Sequence, residues 1–222
     1  MPFRAVLFDL DGTLLDTLDD LADSANSALG QLGFPEHPTE AYKYFIGDGI
    51  ENLVRRALPE GNCDAATFDR YLGLVREQYT ARWADKTRPF DGVGELLDAL
   101  AARDVPMAVL SNKPDEFTRL CVERLLAGHR FEIVLGASPS LPKKPDPAGA
   151  RHIAERLQLK PEEIVYLGDT ATDMQTAVRA AMYPVGALWG FRTGEELSAH
   201  GARVLIEKPG ELLRLLEGGP AQ

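Results

Sequence analysis

Short apolar runs alternate with helical periodicity along most of this chain. Ala5–Phe8, Met107–Leu110, Ile133–Leu135, Ile164–Leu167, Val185–Leu188 and Val204–Ile206 are near-continuous apolar segments of strand length. From Gly92 onward a helical pattern separates each from the next. Val93, Leu96, Leu97 and Leu100 share one face, and Ile153, Ala154 and Leu157 share another. Between them Phe117, Leu120, Cys121 and Leu125 make a third face, interrupted by Arg124. Strands apolar on both faces, alternating with helices, predict an α/β fold with a Rossmann-like parallel sheet covered on both sides. Right-handed crossovers bring the carboxyl ends of such strands to one edge, where these sheets bind ligands.

One block breaks the alternation. From about Leu18 to Arg88 the periodicity is helical and no segment reads as a strand. Leu18, Leu21, Ala22, Ala25, Leu29 and Leu32 line one helix, stopped by Gly33. Ile50, Leu53, Val54, Ala57 and Leu58 make a short second helix before Pro59, and Phe68, Leu72, Val75 and Tyr79 a long third. The pattern predicts an all-helical subdomain, residues 17–88, inserted into a core made of 1–16 and 89–222. Asp16-Thr17 and Lys86–Pro89 are its two connections. There is no internal repeat, and the tail Gly218–Gln222 reads as frayed.

The polar residues that end the strands carry the chemistry. The first strand runs into Asp9-Leu10-Asp11-Gly12-Thr13, the second into Ser111-Asn112-Lys113. The third leads to a loop ending Lys143-Lys144-Pro145-Asp146-Pro147, and the fourth ends in Gly168-Asp169-Thr170, with Asp173 four residues beyond Asp169. On one sheet edge, Asp9, Asp11, Asp169 and Asp173 converge, and like charges in a small site require a cation or protonation. Carboxylate oxygens without Cys or His suit a hard cation, Mg²⁺, which keeps waters and shares phosphate oxygens. Backbone N–H groups at Gly12 and Thr13, the Ser111 hydroxyl and the Lys144 ammonium would then serve a phosphoryl ligand. Singly, each motif has a plainer reading. Asp-Gly is common in turns, Ser or Asn ahead of Pro114 caps a helix, and Asp169 or Thr170 caps the helix that follows.

Composition narrows the partners. Lys and Arg total 24 against 34 Asp and Glu, a formal charge of −10 over 222 residues, which disfavours nucleic acid but not a small anion in a local cationic cleft. Cys63 and Cys121 lack metal-ligand spacing and read as reduced thiols in apolar helices. The four histidines are scattered loop or surface residues. No secretory leader precedes the first strand and no apolar stretch approaches ~20 residues, so the expected compartment is the cytoplasm, without membrane association. The oligomeric state is left open.

In this order, Asp9-Leu10-Asp11-Gly12-Thr13, Ser111, Lys144-Pro145 and Gly168-Asp169 with Asp173 resemble the four motifs of the haloacid dehalogenase-like phosphohydrolases. The likeness covers nearly the whole chain. "LSNKPDEFTR", "LPKKPDP", "YLGDTATDMQTA" and "ALWGFRTGEEL" are similar to the phosphoglycolate phosphatase subgroup, whose helical cap follows the first motif. The resemblance implies a Mg²⁺-dependent phosphatase of small phosphate esters, 2-phosphoglycolate first. Asp9 would be the nucleophile that forms an aspartyl-phosphate. Asp11 would protonate the leaving oxygen and then take a proton from water. It implies metal binding by Asp9, the Asp11 main-chain carbonyl, Asp169 and Asp173, with Asp173 beside the metal or orienting its waters and Lys144. Phosphate contacts would come from Gly12, Thr13, Ser111, Asn112 through its main chain, and Lys144. Dehalogenases of the family lack the second acid of the first motif, so Asp11 argues for phosphate esters. A phosphomutase resembling β-phosphoglucomutase, another sugar or nucleotide phosphatase, and an inactive phosphate- or metal-binding module are the alternatives. In the cap, the stretch Tyr42–Gly49 resembles the subgroup's glycine-flanked turn, with Lys43, Gly47, Asp48 and Arg55 as candidate substrate contacts; a connecting turn with solvated bases is the competing reading. Asp16 is expected at the exit to the cap, and Ala181 stands where the family often has glycine.

Overall fold

The computed structural model describes residues 3–61 and 63–218. The chain begins with β1 (Ala5–Phe8), β2 (Leu15–Asp16), α1 (Leu18–Gln31), α2 (Tyr42–Phe45), α3 (Ile50–Ala57), α4 (Ala65–Arg82) and β3 (Arg88–Pro89). It continues through α5 (Val93–Ala101), β4 (Met107–Pro114), α6 (Asp115–Leu125), β5 (Ile133–Ala137), α7 (Ala148–Leu157) and β6 (Ile164–Gly168). It closes with α8 (Ala171–Ala180), β7 (Tyr183–Ala187), α9 (Gly194–Ala199), β8 (Val204–Ile206) and α10 (Leu212–Leu216). The residues form two compact units, one holding the chain up to Leu15 and again from Pro89, the other Asp16–Arg88. Of the expected frayed tail, residues 219–222 lie outside the described set.

The first unit is an α/β layer structure around six parallel strands in the order β5-β4-β1-β6-β7-β8. After β1 the chain builds outward through β4 and β5, then returns to β1's other side for β6. That reversal opens a crevice at the carboxyl end of β1. Register places Phe8 level with Val109 and Leu167, so Asp9 emerges beside the ends of both neighbours. Ala5 and Leu7, with Ala108, Leu110, Ile164 and Tyr166, face a layer made by Ile153 and Ala154 of α7 and Ala177 and Ala180 of α8. Alternate positions such as Val6 and Phe8 point to the opposite side and are equally buried.

The second unit is helical. α1 and α4 pack along their length, burying Leu21, Ala25 and Leu29 together with Tyr71, Val75 and Tyr79. His37, Tyr42 and Phe45 meet edge to face, with centroids 5.2–6.1 Å apart. His37 is therefore a packing residue of this unit rather than a loose surface histidine. Asp20, buried in the first turn of α1, accepts from Lys86 N–H at 3.0 Å and from the Thr87 N–H and hydroxyl at 2.8 and 2.7 Å. It closes the neck where the chain leaves and re-enters.

Several local expectations change. The connections are not bare loops: β2 and β3 pair as a two-stranded ribbon, and Asp16 reaches Arg88 across it at 3.7 Å. Strands of two residues carry no periodicity to read. Ser111–Lys113 lies inside β4, which runs on to Pro114 over an irregularity in register. α6 buries Thr118, Cys121 and Val122, leaving Arg124 exposed, so the interrupted face predicted for it was rotated. Cys121 is buried in that helix, whereas Cys63 is exposed in the loop before α4 rather than helical. Among the described residues no helix is long and apolar enough to cross a membrane.

Candidate active site

Three strand ends and one loop meet over β1. Asp9 leaves β1 with its N–H on the carbonyl of Leu167 at 2.9 Å, which continues the ladder for one residue and sets the carboxylate beside β6. The chain then turns sharply: the N–H groups of Leu14 and Leu15 both return to the Leu10 carbonyl, at 3.0 and 2.9 Å. Gly12 sits in the turn at φ +91°, and a Cβ there would collide with the Asp169 carboxylate. Glycine is required on both counts.

Three of the four acids expected on this edge form one cluster, while Asp11 pairs with Lys113. Carboxylate oxygens of Asp9, Asp169 and Asp173 lie within 4.8 Å of one another, and all three residues are buried. Lys144 Nζ bridges two of them, 2.6 Å from Asp9 Oδ1 and 2.7 Å from Asp173 Oδ1. Asp173 Oδ2 accepts from the Thr170 N–H and hydroxyl, at 3.1 and 2.6 Å, while the Thr170 hydroxyl caps α8. The capping reading and the site reading of this motif thus hold together. Asp169 is held by the Thr13 hydroxyl at 2.9 Å and the Phe191 N–H at 2.8 Å.

Three buried carboxylates meet one bridging ammonium, so acid groups outnumber it. Burial first, then the neighbouring Asp173 charge, raises Asp9 well above the usual carboxylate range despite Lys144. The same two causes push Asp169 up to about 7. Burial would lower Lys144, but Asp173 and Asp9 override it and keep the ammonium protonated. The surplus of acid groups and the all-oxygen donor set fit a divalent cation.

The remaining candidates fall into distinct places. Ser111 Oγ accepts the Lys113 N–H at 3.2 Å, and a hydroxyl so engaged still has its proton to donate. Asn112 clamps the Lys144 main chain from both sides, donating to its carbonyl at 3.0 Å and accepting its N–H at 2.8 Å. Its side chain positions the lysine. The Gly12 and Thr13 amides turn inward, to the carbonyls of Leu15 at 2.8 Å and Leu10 at 3.4 Å, and the Thr13 hydroxyl is on Asp169. These bonds shape the turn and hold Asp169.

In the helical unit, Lys43 pairs with Glu40 at 2.8 Å, and Asp48 pairs with Arg56. Arg55 lies over the Phe68 ring at 4.9 Å, bracing α3 on α4, and Gly47 supplies a turn at φ +119°. All four proposed substrate contacts thus have structural work within their own unit.

Two groups of site residues had no role in the strand-end reading. Lys113 Nζ lies 2.8 and 3.1 Å from the two oxygens of Asp11. The loop after β7 brings Trp189 Nε1 to the Thr13 carbonyl at 2.9 Å and Phe191 N–H to Asp169, while a Cβ on Gly190 would collide with Asp169 and the Gly12 carbonyl. The only sequence signal for this loop is its "WGFR" stretch within a motif already noted for its likeness.

Comparison with known proteins agrees with this layout. The family model described as haloacid dehalogenase-like hydrolase matches residues 6–187. A phosphoglycolate phosphatase of Nitrosospira multiformis is 33% identical over 220 residues, covering 98% of this chain and 97% of that protein. One from Pseudomonas putida is 33% identical over 219 residues, 97% of this chain and 79% of its own. A solved structure from Lactobacillus delbrueckii subsp. bulgaricus has a TM-score of 0.92 at 31% identity and covers 99% of this chain and 100% of its own. A predicted phosphoglycolate phosphatase of Haemophilus somnus has a TM-score of 0.86 at 28% identity, covering 96% and 97%.

Proposed function

The chain belongs to the haloacid dehalogenase-like hydrolase family, and from that premise we propose that it is a Mg²⁺-dependent phosphatase hydrolysing 2-phosphoglycolate through an aspartyl-phosphate on Asp9. More broadly, with curated relatives named phosphoglycolate phosphatase over nearly its whole length, it is a phosphoric monoester hydrolase. The observation that carries the finer reading is the buried constellation at the end of β1. Asp9 is held by Lys144, Lys144 by Asp173, and Asp169 stands within reach of both acids.

An oxygen of Asp9 attacks phosphorus in line with the ester oxygen, and the P–O ester bond breaks. Asp11 gives its proton to the departing alkoxide. Asp11 then takes a proton from the water that attacks the aspartyl-phosphate. The P–O bond to Asp9 breaks, the carboxylate is restored and inorganic phosphate leaves. Lys144 and the Ser111 hydroxyl hold phosphoryl oxygens through these steps, and Asn112 and Asp173 fix where Lys144 points. Asp9, Asp169 and the Asp11 carbonyl would hold the cation, with Asp173 acting through Lys144; when bound, Mg²⁺ supplies positive charge to the phosphoryl oxygens. The helical unit is inserted in the chain between Leu15 and Pro89. A small soluble ester suits a cytoplasmic enzyme.

A phosphate-release screen over small phosphomonoesters, with Mg²⁺ and with chelator, tests the reading. 2-Phosphoglycolate should be turned over fastest, and only with the metal. Asp9→Asn should abolish release while leaving the thermal melt intact. Undiminished turnover by that variant removes Asp9 as nucleophile, and equal rates on every ester remove the substrate.

A further inference from the structure

Lys113 takes no part in the steps above, yet its ammonium occupies the proton donor. Its side chain is 4% exposed, that of Asp11 12%, and Nζ contacts both Asp11 oxygens. Burying an ammonium is costly, and a site that only needed Asp11 oriented could use a neutral donor. In a bound complex an ammonium can divide its N–H donors between Asp11 and a second carboxylate.

Position says which carboxylate. To protonate the ester oxygen, Asp11 must come to about 2.6–3.2 Å from it. With Nζ 2.8 Å from Asp11 Oδ1, the ammonium then lies within about 6 Å of the leaving oxygen. An acid group two bonds from that oxygen, as on a 2-hydroxy acid, falls within its reach. The charge argument agrees. Asp9, Asp169 and Asp173 already surround Lys144, so a leaving-group anion beside Asp11 needs a cation there, and Lys113 is the one paired with Asp11.

Resting on the phosphatase reading, we propose that Lys113 is a specificity-determining residue that selects phosphate esters whose leaving group carries a carboxylate next to the ester carbon. Asp11 and the leaving-group carboxylate share its donors in the bound complex.

The test compares kcat/KM for 2-phosphoglycolate and its neutral isostere, 2-phosphoglycolamide, with saturating Mg²⁺, in wild type, Lys113→Met and Lys113→Arg. Wild type should favour the acid at least tenfold. Lys113→Met should reduce that preference at least tenfold, and Lys113→Arg, which keeps the charge, should retain most of it. Far-UV circular dichroism and a melt establish that each variant folds. If both esters lose equally in Lys113→Met, the residue acts only through Asp11 and the proposal falls. If wild type hydrolyses both alike, it falls without any variant while the phosphatase reading stands. Release from neither ester removes that reading and this proposal together.

Discussion

Asp169 shows how a single residue's environment is set. It receives one side-chain donor, from Thr13, and one backbone donor, from Phe191. Thr13→Val keeps the volume and removes the hydroxyl. Without that donor the Asp169 carboxylate is harder to ionise and to orient, so Mg²⁺ affinity measured by calorimetry should weaken. An unchanged affinity would mean that Phe191 alone orients the carboxylate. Gly190→Ala tests the other side. Its Cβ would collide with Asp169 and the Gly12 carbonyl, so the loop must shift, and both Mg²⁺ affinity and kcat should fall. Retention of both would show that the loop yields without moving the acid. These residues mark what was legible and what was not. Asp9 and Asp169 could be brought together on paper because acids at the ends of apolar strands contradict their surroundings, and Asp173 follows Asp169 by one helical turn. Phe191 acts through an N–H that every residue except proline has, and Gly190 through the lack of a side chain, so neither leaves a chemical mark in the sequence.

At the scale of elements, the parallel sheet was legible because its strands are apolar on both faces and its helices keep a 3.6 period. The β2–β3 ribbon was not, since two residues cannot show a period, and Ser111–Lys113 looked like a cap because Pro114 follows. α8 has a flaw at its far end that the sequence did flag. Ala181 occupies the left-handed cap position at φ +62°, its N–H turned back to Ala177 and Val178 carbonyls. A Cβ strains that conformation, and glycine relieves it. Ala181→Gly should stabilise the fold by about 1 kcal/mol, seen as a higher midpoint in urea with unchanged slope. Because the site lies at the opposite end of α8, kcat/KM should not change. A lower midpoint would show that the gain in unfolded-chain freedom outweighs the relief of strain.

For the whole molecule, the acid cluster sets a conflict between stability and function that metal resolves. Burial and the charge of Asp173 raise Asp169 from its ordinary 3.8 to about 7, and Asp9 well above its own ordinary value. Between those limits the metal-free fold keeps protons that the unfolded chain has released. Its stability from these groups is therefore greatest at low pH and is lost as pH rises from about 4 through 7. A cation bound to the ionised acids reverses the cost, and its stabilisation grows with the ionised fraction. Paired melts with millimolar Mg²⁺ and with chelator should then differ little at pH 5.5 and by several degrees at pH 8, about 2–4 °C for each kcal/mol in a chain of this size. The difference between paired samples, rather than either melt alone, isolates the cluster from the rest of a chain carrying a formal charge of −10. Asp169→Asn removes one ionising acid and should flatten the pH dependence of that difference. A gain from Mg²⁺ that is equally large at pH 5.5 and 8 would place the stabilising cation somewhere other than these buried carboxylates.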